Sequence, residues 1–516
     1  MGDNGGRRDL RPRQSKIVCT IGPKTASFEA IRRLAEMGMN VARLNMSHGS
    51  RQWHRQIIGN IKRYNKKFAG SLAILLDTRG AEIRSGDLKY DLPLAMGDTL
   101  TLTTRRQAEL EPYCVEVSHD GFVSEVSVGD IILVDGGMLR LQVSRLTRTD
   151  IICQSLDDGV LGSRRHLNIR GKSAALPAIT EQDWRDIEFG IEQRVDFIAL
   201  SFVRSAEPII ELGGHLEARG VAVEVLAKIE SAASIPELDR ILAAADGVMI
   251  ARGDLGAELP YEDVPLLQEM IVAKCRRVGK PVIVATHMLE SMIVNPTPTR
   301  AEVNDITQAV RQGADAIMLS GETATGRYPF KALEVMDTVA RRIECHQVQQ
   351  AGQEQLCTCR LEGEKSVDAA ADCGIGYGVV TAPLAEEAAS ELRAARLRSK
   401  IEISRSAAML GNNLGVAGTL VITRRGLMAA LLARSRPHAP IFAFTNTTHV
   451  RRRLGIYWGV HAFVVKLSSE PEVTIQRAIE QLRRKGVVAA GQRLIILSDI
   501  LAGGDFVETV QVRVIL

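Results

Sequence analysis

The sequence predicts an α/β protein: a (β/α)8 TIM barrel, interrupted by a small β-rich domain and followed by an open α/β domain. Three observations carry this. Eight short apolar, β-branched runs alternate with helical patterns over the first two-thirds of the chain. One gap between consecutive runs is far longer than a strand–helix connection needs. A second alternation of strands and helices resumes near residue 418.

The eight runs are KIVCTIG (16–22), MNVARLNM (39–46), LAILLD (72–77), DFIALSF (196–202), VEVLAKIE (223–230), GVMIARG (247–253), PVIVAT (281–286) and AIMLSGE (316–322). Each is of the buried-strand kind. The helical stretch 26–38 puts Phe28, Ile31 and Leu34 on one face behind Ser27 as N-cap. The stretch 266–279 repeats that design and ends at Gly279, a C-cap. Eight such units in one stretch favour closure over the rival arrangement, a doubly wound sheet.

Asp77 ends the third run and Asp196 begins the fourth, with 118 residues between them. From 86 to 175 the texture changes to DTLTLTT, GDIILVDGG, LRLQVSRL and DIICQSL, which reads as a small β-rich insertion. EQDWRDIEFGIEQRV (181–195) then supplies the missing barrel helix. The expected domains are an N-terminal extension (1–15), the barrel (16–85 and 176–342), the insertion (86–175), a linker and helical region (343–400) and a C-terminal α/β domain (401–516). In the last, GTLVITR (418–424), PIFAFTN (440–446), HAFVVKL (461–467) and RLIILSD (493–499) alternate with helical stretches, and ETVQVRVIL closes the chain.

Composition narrows the function. With 45% hydrophobic and 24% charged residues over 516 positions, disorder, collagen and coiled coil are excluded as the main architecture. No apolar run is long enough to span a membrane. Lysine plus arginine is 65 against 61 acids, a balance of +4. That is too weak for a nucleic-acid face and fits a local site for small anions. The eight cysteines form no CxxC pair, with Cys357 and Cys359 a lone CxC, so reduced intracellular thiols are expected. The opening MGDNGGRRDLRPRQ has no apolar signal core, is short for a transit peptide, and has Gly6 where myristoylation needs Ser or Thr. A cytoplasmic location is the expectation.

Working residues of such a barrel sit at the carboxyl ends of its strands, and here those ends are polar. The second carries Arg43, Asn45 and Ser47, and the third ends Asp77-Thr78. The fifth carries Lys228 and Glu230, the sixth Arg252 and Asp254, the seventh Thr286, the eighth Ser320 and Glu322. Singly, a terminal Asp or Thr is most often a cap, and Lys228 with Glu230 could be a structural ion pair. Their convergence on one rim argues for a site, because buried charge is costly unless it pairs or binds ions. Glu230 and Asp254 are hard oxygen ligands on neighbouring strands, suited to Mg²⁺ or Mn²⁺. Arg43 and Lys228 could hold a phosphoryl group. Asn45, Ser47, Asp77 and Thr78 offer several oxygens with one full negative charge, which suits a monovalent cation. No P-loop or dinucleotide fingerprint stands in a strand–helix frame.

At these residues the chain resembles the pyruvate kinase family, from Lys16 almost to the C-terminus. The segments are KIVCTIGP (16–23), NVARLNMSHG (40–49), LDTRGAEIR (76–84), KIES (228–231), ARGDLGAELP (251–260), PVIVATHMLESM (281–292), PTPTRAEVNDI (296–306) and DAIMLSGETATGRYP (315–329). Their order makes the match specific. The resemblance implies a barrel, an inserted β-barrel lid and a C-terminal α/β domain. It implies phosphoryl transfer from phosphoenolpyruvate to ADP with Mg²⁺ (or Mn²⁺) and K⁺, in a homotetramer. By similarity Lys228 stabilises the moving phosphoryl group, Arg43 grips it, and Glu230 and Asp254 bind the divalent metal. Asn45, Ser47, Asp77 and Thr78 match the potassium site, and Glu82 marks potassium dependence. Gly253 and Asp254 face the substrate carboxylate. Asn45, His48 and Arg84 lie on the nucleotide side. Thr286, with Ser320 and Glu322, matches the region that protonates the enolpyruvate methylene.

The chain departs from the family pattern at Ala81 (usually Pro), His287 (commonly Gln or Asn), Ser205 (often Lys) and Ala175 (often Asp). The loop ITRRGLMA (422–429) replaces the hydroxyls and arginine of the fructose 1,6-bisphosphate loop, so that activator is not expected. IFAFTN, RRLGIYWGV and AELPYEDVPLLQE look like the plastid-type members, which makes the plastid stroma the alternative location. Rival readings are a poorly active regulatory subunit of a hetero-oligomer, which the intact Lys228, Glu230, Asp254 and Thr286 oppose, and a metal-dependent aldolase or lyase, which the insertion and the potassium-site residues oppose.

Overall fold

Eight parallel strands close into one barrel: β1 (Lys16–Thr20), β2 (Val41–Asn45), β3 (Ala73–Asp77), β4 (Phe197–Leu200), β5 (Glu224–Ile229), β6 (Gly247–Ala251), β7 (Val282–Ala285) and β8 (Ala316–Leu319). Each run predicted as a strand contains one, and β1 pairs with both β2 and β8. The computed structural model describes residues 12–107, 110–171, 177–361, 384–502 and 505–516. Ala175 and Cys373 lie outside these, as do the side chains of Cys357 and Cys359. The chain divides into two units, Lys16–Val335 and Met336–Leu516, the latter with the segment ending at Ser15.

Helices follow the strands: α1 (Phe28–Glu36), α2 (Arg51–Lys67), α3 (Glu181–Glu192), α4 (Glu207–Ala218), α5 (Leu238–Ala244), α6 (Arg252–Glu258), α7 (Val264–Val278), α8 (Arg300–Gln312) and α9 (Pro329–Leu361). Local chemistry sets their ends. Ser27 accepts from the Ala30 amide and starts α1. Gly279, left-handed at φ +77, ends α7. Thr180 with Asp183, and Thr299 with Glu302, form reciprocal capping boxes on α3 and α8.

Between β3 and β4 the insertion builds its own core around Phe122, Leu100, Leu102, Ile132, Leu141 and Ile151. Its strands form a six-stranded sheet, in the order 167–169, 131–134, 139–146, 150–155, 99–103 and 114–116, and a two-stranded sheet of 92–94 with 159–161. The two edges of the six-stranded sheet are joined through residues 83–86: Arg84 bridges His166 and Ser85 bridges Val117, with the Leu167 amide donating to the Ile83 carbonyl at 2.8 Å and the Gly86 amide to the Glu116 carbonyl at 2.7 Å, so the insertion closes as the expected small β-barrel. β3 and β4 still pair directly, Ala199 opposite Asp77.

The expected boundary at 342/343 falls inside α9. The Ala-, Gln- and Glu-rich sequence after 343 is made of good helix formers and prolongs the barrel's last helix. Within the second unit, α10 (Leu384–Leu414) precedes the sheet. Its five-stranded sheet has the order β11 (Val460–Val464), β10 (Ile441–Thr445), β9 (Gly418–Ile422), β12 (Arg493–Ala502), β13 (Asp505–Val514), all parallel except β13. Among the described residues no helix is long and apolar enough to cross a membrane.

Candidate active site

The carboxyl ends of β2, β3, β4 and β5 bring together a buried cluster of two cations and two anions. Lys228, one residue before the end of β5, places Nζ 2.8 Å from Glu230 Oε1 and 3.1 Å from Asp77 Oδ1. It also donates to Ser201 Oγ at 2.7 Å. Arg43 donates through Nε to Asp77 Oδ2 at 2.6 Å and through Nη1 to Thr20 Oγ1 at 2.9 Å. Asp77 is fully buried. Burial alone would raise its pKa, but Lys228 and Arg43 hold it below the ordinary carboxylate value. Burial likewise opposes the charge on Lys228, yet Asp77 and Glu230 more than offset it and keep the ammonium protonated.

Glu230 is different. Burial and the nearby Asp254 push its carboxyl above the usual range, with Lys228 only partly restoring it. Its second oxygen accepts from the Phe202 amide at 2.7 Å, at a residue held left-handed (φ +52) after β4. Two carboxylates that repel in a buried site are chemically suited to share a divalent cation. Among the described residues no three His, Cys, Asp or Glu form a metal cage, so such an ion would keep positions for water and substrate.

Of the residues predicted for a monovalent cation, Asp77 belongs to this cluster and Thr78 follows it in the chain. Asn45 lies opposite Asp77 in the β2–β3 register, and its Oδ1 accepts from the Ser47 amide at 3.1 Å. Thr78 Oγ1 accepts from the Ser201 amide at 3.0 Å. Asp77 pairs with Arg43 through Oδ2 and with Lys228 through Oδ1, while the Ser201 hydroxyl, 3.3 Å from Oδ1, donates to the Thr78 carbonyl at 2.8 Å. The turn is fixed from outside: Asp183 Oδ1 accepts from both the Arg79 and Gly80 amides at 3.0 Å. Gly80 is left-handed (φ +74), and a Cβ there would lie 2.6 Å from Phe202 Cδ2.

Across the mouth, Thr286 follows β7 at φ +66 and the exposed His287 comes next at φ +54. Thr286 Oγ1 accepts from the Gly253 amide at 2.8 Å. Asp254 follows in the first turn of α6. Glu322, buried, accepts from the Leu289 amide at 3.0 Å and from the Ser320 amide at 2.7 Å. It therefore braces the turns after β7 and β8. The Ser320 hydroxyl is buried and meets no partner among the described residues.

The remaining predicted residues have partners outside the Lys228 cluster. Glu82 and Arg84 pair with each other, Nε to Oε2 at 2.6 Å, and Arg84 also donates to the Arg164 carbonyl at 3.0 Å in the insertion. The His48 ring is exposed, while its carbonyl lies 2.8 Å from Nε2 of the buried His54. Sequence reasoning missed Ser201 and Thr20. Both directly follow or end apolar strand runs, a position whose polarity was noted at other strands but not at these two. In the second unit, the loop after β9 lines a cavity of about 300 Å³ with Thr423, Arg424, Arg425, Lys400, Ser468 and Ser498.

A closed barrel whose carboxyl mouth holds paired carboxylates, a buried lysine and a strained threonine has the arrangement of a barrel enzyme. Residues 12–333 match the family described as "Pyruvate kinase, barrel domain" and 402–512 that described as "Pyruvate kinase, alpha/beta domain". The chain is 46% identical over 488 residues to Plastidial pyruvate kinase 2 of Arabidopsis thaliana, covering 94% of this chain and 78% of that protein. It is 37% identical over 495 residues to a pyruvate kinase of Geobacillus stearothermophilus, covering 95% and 78%. A crystal structure of a pyruvate kinase from Cryptosporidium parvum superposes with a TM-score of 0.81 at 31% identity, covering 97% of this chain and 96% of that one. The chain belongs to the pyruvate kinase family and is an enzyme of that family, a phosphotransferase.

Proposed function

We propose that the barrel mouth transfers the phosphoryl group of phosphoenolpyruvate to ADP. The observation that carries this is the Lys228-centred cluster at the mouth of a pyruvate kinase barrel. A β-phosphate oxygen of ADP attacks phosphorus, the bond from phosphorus to the enol oxygen breaks, and the enolate takes one proton at its methylene carbon. The products are ATP and pyruvate. Lys228 and Arg43 stabilise the moving phosphoryl group, their orientation fixed beforehand by Asp77, Ser201 and Thr20. The start of α6 at Gly253 and Asp254 receives the substrate carboxylate, Thr286 orients the water that protonates the methylene, and Ser320 stands behind it. Glu322 acts by bracing these turns. Asn45, His48 and Arg84 lie on the nucleotide side.

Glu230 and Asp254 would hold Mg²⁺ or Mn²⁺, and Asn45, Ser47, Asp77 and Thr78 would hold K⁺, with Glu82 as the marker of potassium dependence. The bound cations supply charge neutralisation for a transfer between anions. A coupled assay on the purified chain with phosphoenolpyruvate, ADP, Mg²⁺ and K⁺ tests the reading. Expected is robust pyruvate formation that drops sharply when K⁺ is exchanged for a bulky organic cation and is insensitive to fructose 1,6-bisphosphate. A folded chain without turnover would favour the regulatory-subunit reading over an active homotetramer, and light scattering gives the assembly.

The compartment we propose is the plastid stroma rather than the cytoplasm. It is supported by relatives named plastidial or chloroplastic, such as isozyme G of Nicotiana tabacum, 46% identical with 95% of this chain and 80% of that protein covered. Fractionation of the source cells tests it: co-purification with cytosolic markers would overturn it.

A further inference from the structure

We propose that Arg252 is a positioning residue that holds Thr286 in its left-handed conformation. The inference rests on the assignment of Thr286 above. A residue branched at Cβ is poorly suited to φ +66, and here a second left-handed non-glycine residue, His287, follows it. Such pairs persist only where the surroundings over-determine them.

Here one side chain does so. The Arg252 guanidinium, 9% exposed, donates through Nε to the Ala285 carbonyl at 3.3 Å and through Nη2 to the Thr286 carbonyl. These carbonyls belong to the peptide planes on either side of the Thr286 Cα. Fixing both planes fixes φ and ψ between them. Nη1 anchors the guanidinium from behind, to Asp305 Oδ1 on α8 at 2.6 Å and to Gln268 Oε1 on α7 at 3.3 Å. Gln268 is itself held by Gln312 at 2.6 Å. The next residue, Gly253, donates its amide to Thr286 Oγ1, and that hydroxyl donates to the Ala285 carbonyl at 2.7 Å. The first two residues of α6 thus set the backbone and the side-chain torsion of Thr286 together. A lysine would keep the charge of Arg252 but lacks the fork that reaches two carbonyls and a carboxylate at once.

The test uses the full chain carrying Arg252→Lys, with Asp305→Asn as a milder variant and Thr286→Ala as reference. Two rates are read: steady-state turnover, and entry of solvent deuterium into the methyl group of pyruvate with ATP present, followed by proton NMR. Arg252→Lys is expected to lower kcat about 10²-fold, as misplacement by about an ångström does, with methyl exchange falling in parallel and KM for phosphoenolpyruvate changed less than about threefold. Added to Thr286→Ala, it should cost less than about twofold more, because the two act as one unit. Asp305→Asn should move kcat in the same direction by about tenfold. Losses that multiply in the double variant, or a raised KM at unchanged kcat, overturn the proposal. If Arg252→Lys does not fold, Asp305→Asn decides: wild-type kcat overturns it. Wild-type methyl exchange in Thr286→Ala alone overturns the Thr286 assignment and this inference with it.

Discussion

Removing the ammonium of Lys228 would leave Asp77 and Glu230, which lie 3.1 and 2.8 Å from it, buried side by side without the cation between them. Lys228→Met is therefore expected to lower kcat by about 10³-fold and to destabilise the fold by about 3 kcal/mol, read by the coupled assay and by urea unfolding. Ser201→Ala withdraws one bond to the same ammonium. It should reduce activity about tenfold, the scale of one hydrogen bond to a charged group, with the fold intact by circular dichroism. Asp77 contributes a pH dependence. Its pKa is lower folded than the 3.8 of the free side chain, so its stabilisation is present above that value and is lost as pH falls through the folded one. In acid titrations wild type should exceed Asp77→Asn in stability above pH 3.8, and the gap should shrink below it. At this scale the sequence made Lys228, Glu230, Asp254 and Arg43 legible because charge at the end of an apolar run is conspicuous. Ser201 and Thr20 were not, because a hydroxyl after an apolar run is an ordinary turn former until its partner is known.

Elements carry the site through their ends. The turn after β3 rests on Asp183, which also caps α3. Gly80→Ala would impose a left-handed backbone on a residue with a Cβ and drive that atom into Phe202. A loss of about 2 kcal/mol is expected, together with weaker K⁺ activation, since Asp77 and Thr78 share the turn; unchanged K⁺ dependence would separate the two. Thr299→Ala removes only the capping box of α8. It should cost about 1 kcal/mol by thermal melting and leave kcat alone. All eight barrel strands were readable because a strand buried on both faces is a continuous apolar run. The course of α9 past residue 343 was not, because helix formers without a strong apolar stripe look the same in a linker and in an extended helix.

For the whole molecule, the cysteines report on two hydrophobic interiors at once. Cys19, Cys114, Cys153 and Cys275 are buried, and burial pushes the Cys114 thiol up to about 11 and the Cys153 thiol up to about 12. In the native chain at pH 8 these four should resist an alkylating probe and become labelled on denaturation, as peptide mapping would show. Rapid native labelling of Cys153 would mean that the inserted domain opens on its own. The domain order was legible because texture changes with architecture. The segment 83–86 that closes the insertion was not, since a stretch paired only through isolated bridges leaves no strand pattern.

The bond between the turn after β3 and the start of α3 has a consequence for how such a gene can change. Asp183, in the first turn of α3, accepts from the Arg79 and Gly80 amides just past β3, so the chain leaves for the insertion and returns from it at one spot. Had its chain been structureless, lengthening a connection of roughly ten residues to that size would cost only about 2 kcal/mol in closure entropy. A module with its own core that enters and leaves at one spot behaves as a cassette. It can be exchanged, lengthened or excised between generations while the ring of strands beneath it keeps its register.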